Sequence, residues 1–174
     1  MSGNSSEKQR LLGWVVAGAL LPDLMHAIPV SIWAIFDLGS IWDAILAYAL
    51  ATPGAEPVMP AWVVGTAQVV HCSFHSAVMA GLVSLLIWPR GHVRWRYLLL
   101  GWGAHILIDT FTHSANYYPV RTFYPLSEWS FDGWAWNSPV FIATNYLLLG
   151  LVYLGIGICR KRLWLSSGQQ KTNT

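Results

Sequence analysis

Residues 11–36 read LLGWVVAGALLPDLMHAIPVSIWAIF, and this run decides the fold. It carries one carboxylate, Asp23, and one histidine, His26. A helix rises about 1.5 Å per residue and a bilayer's hydrocarbon core is about 30 Å thick, so roughly 20 apolar residues cross it. The run is long enough to do so. Lys8 and Arg10 ahead of it, with Ala17-Gly18-Ala19 inside it, imitate a signal peptide and its cleavage site. The apolar stretch continues to Phe36, well beyond the roughly 7–15 apolar residues of a signal sequence, so it is read as a retained span.

Working outward, the whole chain has the same character. Of its 174 residues 55% are hydrophobic and only 10% charged, and its mean hydropathy is positive. Soluble domains carry about a quarter charged residues, so this deficit points to lipid as the solvent. Three more apolar stretches follow, at 61–88, 95–111 and 139–159. The expected fold is all-α, a polytopic transmembrane helix bundle of about four spans in a single membrane domain covering 1–174. Polar tails at 1–10 and 166–174 are expected to be disordered. The stretch 41–51 (IWDAILAYALA) is apolar but too short to cross, and is read as an interfacial or re-entrant helix.

Charge placement gives an orientation. Lys8 and Arg10, the 90–96 loop, the 160–162 run and Lys171 hold nine of the ten basic residues. The two alternate loops, 37–60 and 114–138, hold Asp37, Asp43, Glu56, Glu128 and Asp132 against Arg121 alone. By the positive-inside rule four crossings with both termini cytoplasmic satisfy every loop, and the setting is the cytoplasmic (inner) membrane. A net charge of +2 without a long basic run excludes a nucleic-acid partner. Cys72 and Cys159 have no partner at C-x-x-C spacing, which argues against a disulfide framework or a closed zinc knuckle.

Ionisable side chains in hydrocarbon are costly, so those within spans are the candidate functional residues. Span one holds Asp23 and His26 in LPDLMH, span two His71 and His75 in HCSFHS, and span three His105, Asp109 and His113 in HILIDTFTH. Neighbours three or four apart share a helix face. Counted up from the cytoplasmic ends at about 1.5 Å per residue, all seven fall roughly 15–27 Å deep. Three helices thus offer imidazole and carboxylate at one level, a set suited to a divalent metal, Zn²⁺ first, with Mn²⁺ or Fe²⁺ as alternatives. Seven candidates exceed the three protein ligands of a catalytic zinc site, so either two metals share the set or some members orient the others.

Each sharp reading has a plainer one. A single membrane histidine is more often a hydrogen-bonded packing residue than a ligand. Ser76, beside His75, is a candidate substrate-binding residue or nucleophile, although serines in membrane helices commonly satisfy backbone groups. Arg121 is a candidate holder of an anionic head group, or an arginine snorkelling to the interface. The loop 114–138, with Tyr117, Tyr118, Tyr124, Trp129, Trp134 and Trp136, has the aromatic character of a head-group belt.

The ordered motifs LPD-L-M-H, H-x-x-x-H-S and G-W-x-x-H-x-L-x-D-x-x-T-H resemble those of small prokaryotic inner-membrane proteins described as membrane-bound metal-dependent hydrolases. The resemblance runs from about Gly18 to Pro139. It implies metal-related roles for Asp23, His71, His75, His105 and Asp109. The chain departs from the pattern at Met25, where a second aspartate is expected, which leaves His26 less defined. The buried His/Asp cluster beneath an aromatic loop motivates the leading expectation, hydrolysis of a lipid or lipid-linked ester or phosphoester by a metal-activated water, with Asp109 or Asp23, whichever is not a ligand, as proton acceptor. Membrane lipids and a lipidic substrate are then the partners, and homo-oligomerisation stays open. The rival is a metal or proton binding or transport protein built on the same residues.

Overall fold

The computed structural model describes residues 3–38, 40, 42, 51, 57–116 and 118–171. Among these the chain is all-helical: α1 (Gly3–Trp33) running into a π-helical turn (Ala34–Leu38), α2 (Ala61–Phe74), α3 (Ala77–Ile87), α4 (Val93–Thr112) and α5 (Pro139–Lys171). The helix expected at 41–51 lies outside the described residues except for positions 42 and 51, as do Asp43, Glu56, Tyr117 and the side chain of Asp37. The chain divides into two compact units, Met1–Ala135 with α1 to α4 and Trp136–Thr174 with α5.

Two helices are long and apolar enough to cross a membrane, Ser5–Phe36 and Pro139–Lys161, and a third candidate arises if α2 and α3 form one broken span. α4, with Arg94, Arg96, His105 and Asp109, is not apolar enough to be counted with them. The tails need correction: α1 begins at Gly3 and α5 runs to Lys171, so residues 3–10 and 166–171 are helical. Neither segment holds a proline to break the turn, and Glu7, Lys8, Gln9 and Arg10 are all good helix formers.

The two faces of α1 differ as its sequence period requires. Leu12, Val16, Leu20, Leu24, Ile28 and Ile32, four apart, form an exposed apolar stripe, each 43–62% accessible. Gly18, Pro22, Pro29, Val30 and Trp33 face inward and are buried. That inward face packs on α4 and, farther along, on α2. At Gly18 and Gly101 the backbones of α1 and α4 touch. A Cβ on Gly18 would lie 1.9 Å from the Leu98 carbonyl oxygen, and one on Gly101 2.0 Å from that of Val15. Trp14 meets Trp95 on one side of this crossing and Asp23 meets His105 on the other, so the two helices run in the same direction. Small residues at such a crossing are what permit close helix contact within a membrane.

The second apolar stretch is not one helix. It breaks at His75–Ser76 with a bend of 59° between α2 and α3. In a bilayer such a break is tolerated only where protein satisfies the freed backbone groups. Ser76 Oγ accepts from the N–H groups of Val78 and Met79 and donates to the Tyr124 carbonyl, and Ala77 N–H donates to the Thr122 carbonyl. On the α2 side Trp102 Nε1 donates to Phe74 O at 2.6 Å, and the His75 N–H returns to His71 O. Two apolar clusters flank the break: Val30, Trp33, Val63 and Ala67 between α1 and α2, and Ala80, Leu99, Trp102 and Ile106 between α3 and α4.

In the second unit, Pro139 opens α5 where its missing N–H costs nothing, and Ser138 caps the turn through its hydroxyl to Phe141 N–H. The helix is predominantly apolar on every face from Val140 to Ile158. By length and composition it can cross a membrane.

Candidate metal centre

Four side chains converge beside the α2–α3 break: Asp23 from α1, His75 from the break itself, and His105 and Asp109 one turn apart on α4. One ligand atom from each lies within 4.8 Å of all the others. His105 Nε2 is 3.1 Å from Asp109 Oδ2, His75 Nε2 is 3.2 Å from His105 Nε2, and His75 Nε2 is 3.3 Å from Asp109 Oδ2. Asp23 Oδ1 stands slightly farther off, 3.5 Å from His75 Nε2 and 3.8 Å from His105 Nε2. A tetrahedral ion with bonds of about 2.0–2.1 Å sets its ligand atoms about 3.3–3.4 Å apart, so this group has the dimensions to hold a metal ion.

The hydrogen bonds around the group fix which atoms point inward. His75 Nδ1 lies 3.0 Å from the His71 carbonyl oxygen, which can only accept, so Nδ1 carries a proton. A neutral His75 therefore turns a lone pair on Nε2 toward the other three residues. With two carboxylate oxygens beside it, three acceptors face at most one N–H, that of His105 Nε2, if His105 is also neutral. A cation, or a proton on His75 Nε2, would make up the shortage. The break contributes directly, because it lets the His75 ring stack on that of His71, at 4.1 Å between centroids, and still reach across to α4.

Burial is uneven across the four. The side chains of His75, His105 and Asp109 are 1%, 10% and 14% accessible, whereas that of Asp23 is 67% accessible. The site is thus a buried triangle of two imidazoles and a carboxylate whose fourth corner, at Asp23, is open.

The remaining candidates surround this group without belonging to it. His113 sits at the C-terminus of α4 with Nδ1 on the Asp109 backbone carbonyl, 3.8 Å from Asp109 Oδ2. His26 and His71 pair with each other, 4.8 Å between ring centroids, on the far side of the His71–His75 stack. Ser76 is fully buried and its hydroxyl is engaged by the α3 cap and Tyr124. Arg121 forms an ion pair with Glu128 and borders a cavity with His26 and His71. Phe123, Trp129 and Trp134 are 47–51% accessible.

Two supporting residues are not singled out by the sequence. Trp102 holds the end of α2 through Phe74 O, and Gln68 borders the cavity of His71. Gln68 has a readable signal, since it is a polar residue three positions before His71 and so on the same helix face. Comparison of the chain with protein-family models, with curated proteins and with solved structures finds no match, so its chemistry must be read from the centre itself.

Proposed function

We propose that the protein is a metal-dependent hydrolase embedded in the cytoplasmic membrane of a prokaryote, acting on a lipid or lipid-linked ester or phosphoester. The observation that carries this is the His75–His105–Asp109 triangle with edges of 3.1–3.3 Å and the accessible Asp23 carboxylate at its open corner. Three protein ligands and one open position are the arrangement of catalytic rather than structural zinc, and Zn²⁺ is the favoured ion, with Mn²⁺ and Fe²⁺ as alternatives. A divalent cation held there would supply Lewis acidity and an activated water at neutral pH. His75, His105 and Asp109 are the ligands in this reading. Asp23, exposed and 3.5–3.8 Å from the two imidazoles, is the proton acceptor. The hydrolase class also draws on the motif resemblance described above.

Four spans with both termini cytoplasmic complete the reading. α4 has the 20 residues needed to cross, about 30 Å at helical rise, and lies parallel to α1, as alternate spans must. Arg94 and Arg96 at its start mark the cytoplasmic end.

The test is metal analysis and turnover on detergent-purified protein. Expected are about one metal per chain, near-complete loss in Asp109→Asn, and cleavage within a panel of lipid esters and phosphoesters that chelation abolishes and Zn²⁺, Mn²⁺ or Fe²⁺ restores. Folded, metal-loaded protein that cleaves nothing in the panel would overturn the enzyme reading.

The helix break favours a second reading, since transporters place ion sites at discontinuous helices. In that case metal or proton flux into proteoliposomes should depend on His75, and His75→Ala should abolish it.

A further inference from the structure

Beside the metal centre lies a separate cavity of about 200 Å³. His26, Gln68, His71 and Arg121 line its polar side, and Met59 and Val64 stand on its apolar side. His71 is the common wall: its ring stacks on that of the metal-centre residue His75 and also borders the cavity. His71 is 8% accessible, and neither of its ring nitrogens has a hydrogen-bond partner among the described residues. Leaving such a group unpaired when buried costs about 1–3 kcal/mol, so a buried imidazole on a cavity wall calls for a polar ligand.

The charge on the wall identifies its sign. Among the described residues lining the cavity Arg121 is the one charged side chain, and none of them is a carboxylate. Its ion-pair partner Glu128 is 73% accessible against 26% for Arg121, so the carboxylate has room to swing away and leave the guanidinium to another anion. Arg121, Gln68 and His71 each carry a hydrogen-bond donor on the cavity wall. A phosphoryl group offers three strong acceptor oxygens and takes a bidentate guanidinium contact, whereas a neutral acyl ester offers only weak acceptors. The volume is below the 300–1,000 Å³ of drug-sized ligand sites, so it suits a head group, with any acyl chain left to the membrane.

We propose that this cavity is a phosphoryl-binding subsite formed by Arg121, His71 and Gln68, so that the substrate of the adjoining centre is a phosphate ester. This rests on the hydrolase reading above and narrows its substrate class. The phosphoryl group is a lipid head group or a free phosphate compound; both present the same oxygens.

Metal-loaded protein in nanodiscs of neutral lipid is titrated with inorganic phosphate, and in a second arm with a short-chain phosphatidic acid, with ³¹P line broadening as the readout. Metal content is measured in parallel. Arg121→Gln is expected to weaken binding at least tenfold, with metal content unchanged and Arg121→Lys intermediate. Gln68→Leu, which leaves every ion pair intact, should weaken it about threefold or more. Tighter binding of phosphatidic acid than of phosphate, with both sensitive to Arg121, identifies a lipid source; equal binding identifies a free phosphate compound. If both ligands bind equally well to wild type, Arg121→Gln and Gln68→Leu, or neither binds at millimolar concentration, the subsite is refuted. A neutral acyl ester cleaved at the same rate by wild type and Arg121→Gln refutes it too, while leaving the hydrolase standing. Absence of metal from the wild type instead refutes the centre.

Discussion

Gly18→Ala tests whether the α1–α4 crossing sets the open corner of the metal centre. The Cβ it adds would sit 1.9 Å from Leu98 O, where ordinary contact begins near 3.4 Å; the Cβ is fixed to its backbone and the atoms it meets are backbone, so neither can rotate away. The helices must separate locally by about 1.5 Å, a small-to-large strain of about 1–3 kcal/mol. Asp23 lies about 7 Å along α1 from this point at helical rise, so it moves with the separation. Its distances of 3.5 and 3.8 Å to the imidazoles should then grow toward about 5 Å. His75, His105 and Asp109 come from α2–α4 and should keep their mutual spacing. The expected result is a lower melting temperature, retained metal, and turnover reduced by up to about a hundredfold, as misplacing a catalytic group by an ångström or more can do. Gly13→Ala on the same helix is the control. Nothing lies within 4 Å of its Cβ, so it should match or exceed wild-type stability, since alanine is the better helix former. Equal melting temperature and turnover in the two variants would refute the close crossing and its role.

Other substitutions separate the parts of the site. Asp23→Asn should keep the metal and lose turnover, whereas Asp109→Asn should lose the metal by at least a hundredfold in affinity; metal content and turnover, measured on the same preparations, must diverge for Asp23→Asn. Ser76→Ala removes the acceptor for two N–H groups of α3 and the donor to Tyr124, so unfolding should become easier by about 1–2 kcal/mol; an unchanged melt would mean the cap is dispensable. Trp102→Phe keeps the aromatic packing but leaves Phe74 O without its donor, and about 1–3 kcal/mol of stability should be lost, read by the same melt.

The sequence made the inward faces readable because intramembrane polar groups are rare and helical spacing is strict. Asp23, His75, His105 and Asp109 were all legible as members of a cluster on those grounds. What could not be read was the division among the seven. His71 and His75 stand four apart, which on an unbroken helix puts them on one face as equals. The break at Ser76 instead turns His75 toward α4 and leaves His71 on the cavity side. Ser76 was the available hint, because serine is a good N-cap, but a serine within an apolar run equally suits an uninterrupted membrane helix. The crossing at Gly18 and Gly101 was silent for a different reason: nothing in either helix alone says which glycine meets a neighbouring backbone and which, like Gly13, meets open space.

Charge balance gives a reason why these four residues should be found together in a membrane. Two carboxylates placed alone at this depth would be prohibitive, and their charge has to be offset locally. Protonating both imidazoles would neutralise the group on paper, but His75 Nε2 and His105 Nε2 are 3.2 Å apart, and two N–H bonds directed at each other across that distance repel. With Nδ1 of His75 already donating to His71 O, an arrangement with lone pairs on both Nε2 atoms would need two positive charges supplied from a common centre. A divalent cation meets that requirement with a single particle. The break in the second apolar stretch, the Ser76 cap and the Trp102 bond to Phe74 are therefore parts of one device. They hold the His75 ring with Nε2 3.2–3.3 Å from His105 Nε2 and Asp109 Oδ2, so that these three side chains could share one cation with Asp23 beside them.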